Sequence, residues 1–383
     1  YLYQELNLNE ELIKGLKTGI FLGLSEKNES VTADSFFGFV EMASSFVLIE
    51  SPSDLLDYSL SRFELHISDD FGDGPWGDWF RVSTDINKNV AGLIWATLGS
   101  PRSAIRWNAA HCVKKLAELN CTNILDALIW WLEHDKVDAF GCNKFPFYNL
   151  HARQYLLIAL ARISLDHPDL LRKHSHVFSK YALTEPHILI QKYASDIALN
   201  LETKFPSIYE SHTLIAIKGI GKSNLPIQKA DYGYVTDSYW HKEGTIDAEL
   251  DYNFGWDFDR YWYEPLGEVF GIPEKQVEDL AANVIINEWK ITEESGYNKD
   301  PREDIWNKSS YGRETYHSHG SYPKTDNLNF YLSYHAMLVV AAKLISKMPV
   351  IKQRDWCDDE WIEWLSRHLL TREDGKWLSE ARG

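Results

Sequence analysis

The apolar positions between Gly99 and Glu133 recur at helical spacing twice, with a break between the two runs. Ile105, Ala109, Cys112, Val113, Leu116 and Leu119 step by three and four residues, which places them on one face of a helix. Gly99, Ser100 and Pro101 stand before them as turn, cap and first-turn residues. Asn120 to Asn123 interrupts the pattern, and Ile124, Leu125, Leu128, Ile129, Trp131 and Leu132 then predict a second helix. So short a pair cannot bury its own apolar face, so like neighbours are expected along the chain. Setting Pro186 on Pro101 (186 − 101 = 85) puts Ile190 on Ile105, Ala194 on Ala109, Ser195 on Ala110, Ile197 on Cys112 and Leu201 on Leu116. Setting Arg153 on Arg106 (153 − 106 = 47) puts Leu156, Leu157, Ala159, Leu160 and Ile163 on the apolar positions of the first copy. The remaining step is 85 − 47 = 38.

Steps of 38 and 47 bracket the roughly 40–47 residues of HEAT and armadillo units. Pro101, Arg106, Ala109, Ala110, Val113 and Leu116 resemble the proline, small-residue and aliphatic pattern of HEAT-type repeats, over about 86–205. The resemblance implies a mainly α fold, an α-solenoid of HEAT-like helical pairs. Stacked pairs of that kind present extended surfaces to protein partners.

Outside the repeats the pattern stays helical at both ends. Residues 1–85 read as an N-terminal helical segment. Asn9 caps a run with Leu12, Ile13, Leu16, Ile20 and Phe21. Asp34 opens another with Phe36, Phe37 and Phe39, and Ser51-Pro52-Ser53-Asp54 starts a third as a capping box. Residues 86–206 hold the repeats. Residues 207–255 carry Gly219, Gly221, Gly233, Gly244 and Gly255, and read as a long irregular connection with short strands at 214–217 and 232–236. Residues 256–383 read as a second helical unit. Pro273 begins one helix, Asp326 or Asn327 opens a strongly apolar one carrying His335, and Asp358 caps a last one ending near Arg367.

Composition narrows the function classes. The 383 residues include 15 Trp, 20 Tyr and 17 Phe, which is ring surface enough for a large packed core. No apolar run approaches the roughly 20 residues of a membrane helix, so no membrane is expected as a partner. Four cysteines show no C-x-x-C pairing, which predicts a reduced, cytoplasmic setting and no zinc held by thiolates. With 39 basic against 56 acidic residues the net charge is −17, which disfavours a surface devoted to nucleic-acid phosphates. Arg102, Arg106, Lys114, Lys115, Arg153, Arg162, Arg172 and Lys173 are the residues that would line a local basic stripe. The chain begins with Tyr1 in structured pattern, which suggests a segment of a longer protein.

Candidate chemistry is sparse. Asp69, Asp70 and Asp73 with Gly72 and Gly74 do not have the spacing of a calcium loop, and a solvated turn is expected there. The string Ala216 to Ser223 ends in Gly-Lys-Ser like a phosphate-binding loop, but it lacks the first glycine, and Pro226 forbids a helix after it. His317 and His319, with Asp326 or His335 as a third group, form the one pattern compatible with zinc or manganese, or with acid–base work. His335 lies on an apolar helix face, where a satisfied core histidine is expected. Trp256, Asp257, Asp259, Tyr261 and Trp262 lead an acidic, aromatic segment suited to anchoring basic partner residues. No G-x-S-x-G, H-E-x-x-H or dinucleotide loop occurs, so no catalytic residue and no cofactor is assigned.

The reading is therefore a protein-binding helical-repeat scaffold or sensor segment. The Trp- and Tyr-rich segments 256–270 and 327–344, together with the HEAT-like units, also resemble the helical C-terminal portions of large bacterial NTPases, some of them phage-defence proteins. That resemblance implies a sensor role in a larger antiviral assembly whose motor lies elsewhere. The rival readings are a metal-dependent hydrolase or nuclease using His317, His319 and Asp326, and a nucleic-acid-binding helical repeat.

Overall fold

The computed structural model describes residues 9–26, 77–142, 145–229, 252–291, 314–354 and 356–371. Contacts divide the chain into two compact units, 1–74 and 75–383. The first unit is described only by α1 (Glu10–Glu26). Its cap is the expected one: Asn9 Oδ1 accepts from the Leu12 N–H at 2.9 Å. The Asp34, Ser51 and Asp69 segments lie outside the described residues.

The second unit is mainly helical, as its sequence periodicity predicts. Its first half runs α2 (Ile86–Leu98), α3 (Ser103–Glu118), α4 (Thr122–His134), α5 (Asn149–Asp166), α6 (Ser175–Thr184) and α7 (Ile188–Lys204). α5 packs against both α3 and α7, α2 packs on α4, and α6 packs on α7. Gly92 of α2 allows a close approach: a Cβ there would meet Phe140 at 2.3 Å and Trp131 at 2.9 Å.

Ala109, Leu156 and Ala194, which the steps of 47 and 85 set on one another, are all buried. The buried stripe of α3 differs by about one residue from the expected one. Arg106, Ala109, Ala110, Val113 and Ala117 face inward, while Cys112 and Leu119 face water. The reason is the guanidinium of Arg106, whose partner lies inside the protein and turns the helix toward it. α5 is buried almost all round, from His151 and Ala152 to Ile163 and Ser164. A helix apolar on every side belongs in the middle of a core.

The span 207–255 is not irregular throughout. Leu214 to Ile217, expected as a strand, lies inside α8 (Ser211–Gly219), whereas 230–251 lies outside the described residues. Gln228 and Lys229 form β1, which pairs in parallel with β2 (Ile351–Lys352). The Gly-Lys-Ser string follows the end of α8 and opens no helix, so the geometry of a phosphate-binding loop is lacking there.

The C-terminal half begins with a helical turn, Trp256–Phe258, and a π-helical segment, Asp259–Tyr263. They lead into α9 (Glu264–Phe270) and α10 (Glu274–Asn283). α11 (Leu328–Lys347) is capped by Asn327, whose side chain accepts from the Phe330 N–H at 2.8 Å. α12 (Glu360–His368) is capped by Asp359, one residue after the expected Asp358. α11 is long and apolar enough to match a membrane span by composition, more apolar than its sequence pattern predicts, and 78% of its apolar 18-residue stretch is buried inside the protein as a core helix. It packs on α7 and α10. Thus α2 to α7 and the C-terminal helices, separate units by sequence pattern, share one core.

Candidate functional site

Two polar clusters stand out, one where the C-terminal segments cross α3 and α5 and one within the C-terminal segments themselves. The first is assembled by a short crossing of two loops. Ser103 N–H donates to the Lys324 carbonyl at 3.1 Å, and Asp326 N–H donates to the Pro101 carbonyl at 2.9 Å. That crossing places the Asp326 carboxylate against α3 and α5. Arg106 Nη2 donates to Asp326 Oδ2 at 3.1 Å, and its Nη1 donates to the carbonyls of Ser100 and Pro101 at 2.8 and 2.7 Å.

From Asp326 a chain of three histidines runs across three helices. His151 Nε2 lies 2.6 Å from Asp326 Oδ2, His335 Nε2 lies 2.9 Å from His151 Nδ1, and His187 Nε2 lies 2.9 Å from His335 Nδ1. His187 is also the cap of α7, its Nδ1 accepting from the Ile190 N–H at 3.4 Å. One set of protons satisfies every link. Because His187 Nδ1 accepts from Ile190, its proton sits on Nε2 and is donated to His335 Nδ1. His335 Nε2–H then donates to His151 Nδ1, and His151 Nε2–H donates to Asp326. All three rings are neutral in this arrangement, and each accepts once and donates once.

The electrostatics agree with that assignment. Burial holds His187 down to about 3 and keeps His151 and His335 well below the ordinary imidazole range, with Arg106 adding to the effect on the latter two. Burial pushes the Asp326 carboxyl up to about 6, against the pull of Arg106. Burial alone would lower Arg106, but the attraction of Asp326 together with Tyr155 and Tyr334 outweighs it and leaves the guanidinium raised. A buried ion pair of this kind costs little only while both partners stay in place.

The second cluster joins the acidic, aromatic segment to the histidine segment. Asp257 Oδ1 accepts from the His319 N–H at 2.9 Å, and Asp257 Oδ2 lies 3.4 Å from His317 Nδ1. Both of those last two atoms are enclosed, and neither makes a hydrogen bond. His319 has φ +51° and is followed by Gly320 at φ +73°, a tight reversal that holds the two histidines beside the carboxylate. His317 edges Phe258 and Phe330, and His319 edges Tyr261 at 5.2 Å.

The expected third group takes no part. Asp326, proposed from sequence to complete a site with His317 and His319, is engaged by Arg106 and His151, and the three ligand atoms are not gathered within 4.8 Å. Of the five expected binding residues, Trp256 opens the helical turn, Asp257 holds the histidine segment, Asp259 and Tyr261 are half-buried, and Trp262 is buried. Trp262 packs edge-on to Tyr322 and Tyr334, with ring centres 5.0 and 5.9 Å away. These rings thus serve the interior of the segment more than its surface. Sequence reasoning missed Arg106, His151 and His187 as partners of Asp326. The one available signal was His187 beside Pro186, at the start of α7 where a capping side chain is needed.

Two other sets bring three possible ligand atoms within 4.8 Å. In the set Cys357, Glu360 and Glu363, the Arg354 guanidinium pairs with both carboxylates and takes the place of a cation. In the set Asp259, Glu274 and Glu278, burial and the neighbouring Glu278 and Glu274 push Asp259 up to about 7, and Lys275 already pairs with Glu278 at 3.1 Å.

The basic residues proposed for a nucleic-acid stripe are spent on local contacts. Arg102 pairs with Glu314, Lys114 and Lys115 with Glu118, Arg153 with Asp135 and Glu185, and Lys173 with Asp126. Arg162 faces Asp166 at 3.7 Å, and Arg172 lies over the Phe205 ring. No family model matches this chain, and no curated protein matches it.

Proposed function

We propose that this chain is a protein-binding helical scaffold, a HEAT-like array whose working surface is the outer face of α2. The carrying observation is an apolar ridge left largely exposed among the described residues. Ile86, Val90 and Leu93, four and three residues apart on one side of α2, are 69%, 36% and 62% exposed, while Ala91, Trp95 and Leu98 fill the core on the other side. Val82 and Trp130 are exposed as well, the latter on α4, against which α2 packs. An apolar stripe at helical spacing suits the apolar face of a partner helix laid across it. The net charge of −17 favours a partner whose flanking residues are basic. The spent basic residues along the repeats weigh against the nucleic-acid reading.

A photoreactive side chain in place of Leu93 tests this in native-host extract, with the same group in place of the exposed Leu165 as control. The expected result is one discrete adduct from position 93 that disappears when Ile86→Glu is added. The same adducts from both positions, or adducts indifferent to Ile86→Glu, would overturn the proposal.

A further inference from the structure

We propose that Asp257, His317 and His319 form a binding site for a divalent transition-metal ion, with two histidines and one carboxylate as its protein ligands. The observation behind it is the state of two atoms. Asp257 Oδ2 and His317 Nδ1 are both enclosed, and each lacks any hydrogen bond, although they are 3.4 Å apart. Two such groups that met as an ordinary pair would align a proton between them. Ligands at about 2.0–2.2 Å from a tetrahedral zinc stand roughly 3.3 Å from each other, which is the spacing found.

The rest of the surroundings fits a cation. The other carboxylate oxygen is fixed by the His319 N–H at 2.9 Å, so the Asp257 side chain cannot swing to solvent without losing that bond. The same contact puts the His319 backbone beside the carboxylate; its ring lies against Tyr261, outside the 4.8 Å that gathers a ligand set, and has to turn toward Asp257 to become the third ligand. The Asp257 and His317 side chains are 20% and 21% exposed, so the pair lies near the surface although Oδ2 and Nδ1 themselves are enclosed, and an ion reaches them as the exposed His319 side chain moves. Two imidazoles and one carboxylate select zinc, iron, manganese or cobalt over calcium or magnesium, which prefer all-oxygen sets. Phe258 and Phe330 against His317 supply the apolar wall that restricts water around such ions.

The test uses the full chain and Co2+ as the probe, followed by visible absorption and calorimetry, with Zn2+ as a second titrant. One equivalent of Co2+ is expected to give ligand-field bands, and Zn2+ is expected to displace it. Asp257→Asn and His317→Gln should each weaken binding at least 10-fold, and His319→Ala likewise, while His212→Ala, at an exposed position, leaves it unchanged. Far-UV circular dichroism checks that each variant is folded. For any variant that is not, proton NMR of the wild-type protein serves: Co2+ should shift the His317 and His319 ring signals strongly. No stoichiometric binding by the wild type would overturn the assignment. So would binding that survives His317→Gln and is lost in Glu278→Gln, which would place the ion among the acidic residues.

Discussion

Asp326 and Asp257 each face a histidine in the same half of the molecule, and the two settings differ in how fully their atoms are used. Around Asp326 the links from Ile190 through three imidazoles to the carboxylate and Arg106 are all made, and every member of that chain is buried. Around Asp257 one oxygen is held and the other stands beside an imidazole nitrogen with no hydrogen bond. A network whose carboxylate and imidazole links are all made, with only Arg106 Nε left over, fixes one arrangement of four helices. An unsaturated pair near the surface has a vacancy that chemistry can use. Residue type alone did not separate the two, since both are built of Asp and His.

Acid should break the comparison most severely. His151, His187, His335 and His368 are held neutral by burial, with His187 and His368 at about 3, against an unfolded value near 6.5. Their folded pKa values are depressed, so below pH 6.5 the unfolded chain binds the extra protons and stability falls as pH drops toward 3. Each histidine contributes up to about 1.4 kcal/mol per pH unit. Asp326 acts in the opposite sense. Its folded value near 6 lies above the unfolded 3.8, so acidification between those limits returns some stability and offsets about one histidine. Urea midpoints at pH 7.5, 6.5 and 5.5 should fall steadily; midpoints flat across that range would mean the rings are not neutral and enclosed.

Asp326→Ala is the next largest effect. It strands the Arg106 guanidinium inside the protein, and a loss of about 3–5 kcal/mol is expected by chemical denaturation. Gly92→Ala should cost about 1–3 kcal/mol, because the new methyl meets Phe140 and a Trp131 ring that is pinned by its hydrogen bond to the Lys88 carbonyl. Asp257→Asn closes the series. With its side chain one-fifth exposed and no histidine chain depending on it, it should shift stability by less than about 1 kcal/mol, while weakening Co2+ binding at least 10-fold. If Asp257→Asn instead unfolds the chain as Asp326→Ala does, the two clusters are alike after all.

Much of the helical framework is legible in the sequence, because apolar periodicity is a local property. Thr122–His134, Leu328–Lys347 and the caps at Asn9 and Asn327 can be read within one or two turns of chain. The face that α3 buries is harder to read. Arg106 turns inward only because Asp326 waits for it 220 residues later, and nothing near Arg106 announces that. Leu214 to Ile217 shows a related failure: an aliphatic run too short for its period to be told becomes helix once α7 and α6 lie beside it. The site follows the same rule. His317 and His319 stand out by spacing, whereas their carboxylate, Asp257, is 60 positions away and looks like one of many acids in its segment. The nearer Asp326 is taken by a stronger partner.

The histidine chain also bears on where this polypeptide can be cut. It stitches α3, α5 and α7 to α11 through groups that have no water to turn to if the stitch is opened. A fragment ending at 206 would bare His151, His187 and Arg106 on a naked inner wall, along with the aliphatic side chains around them. Such a fragment should not persist as a tidy module, and the intact portion should melt in a single step. A lineage wishing to borrow these helices must therefore take the distant tail as well, which makes this core an heirloom passed on whole and not a set of interchangeable bricks.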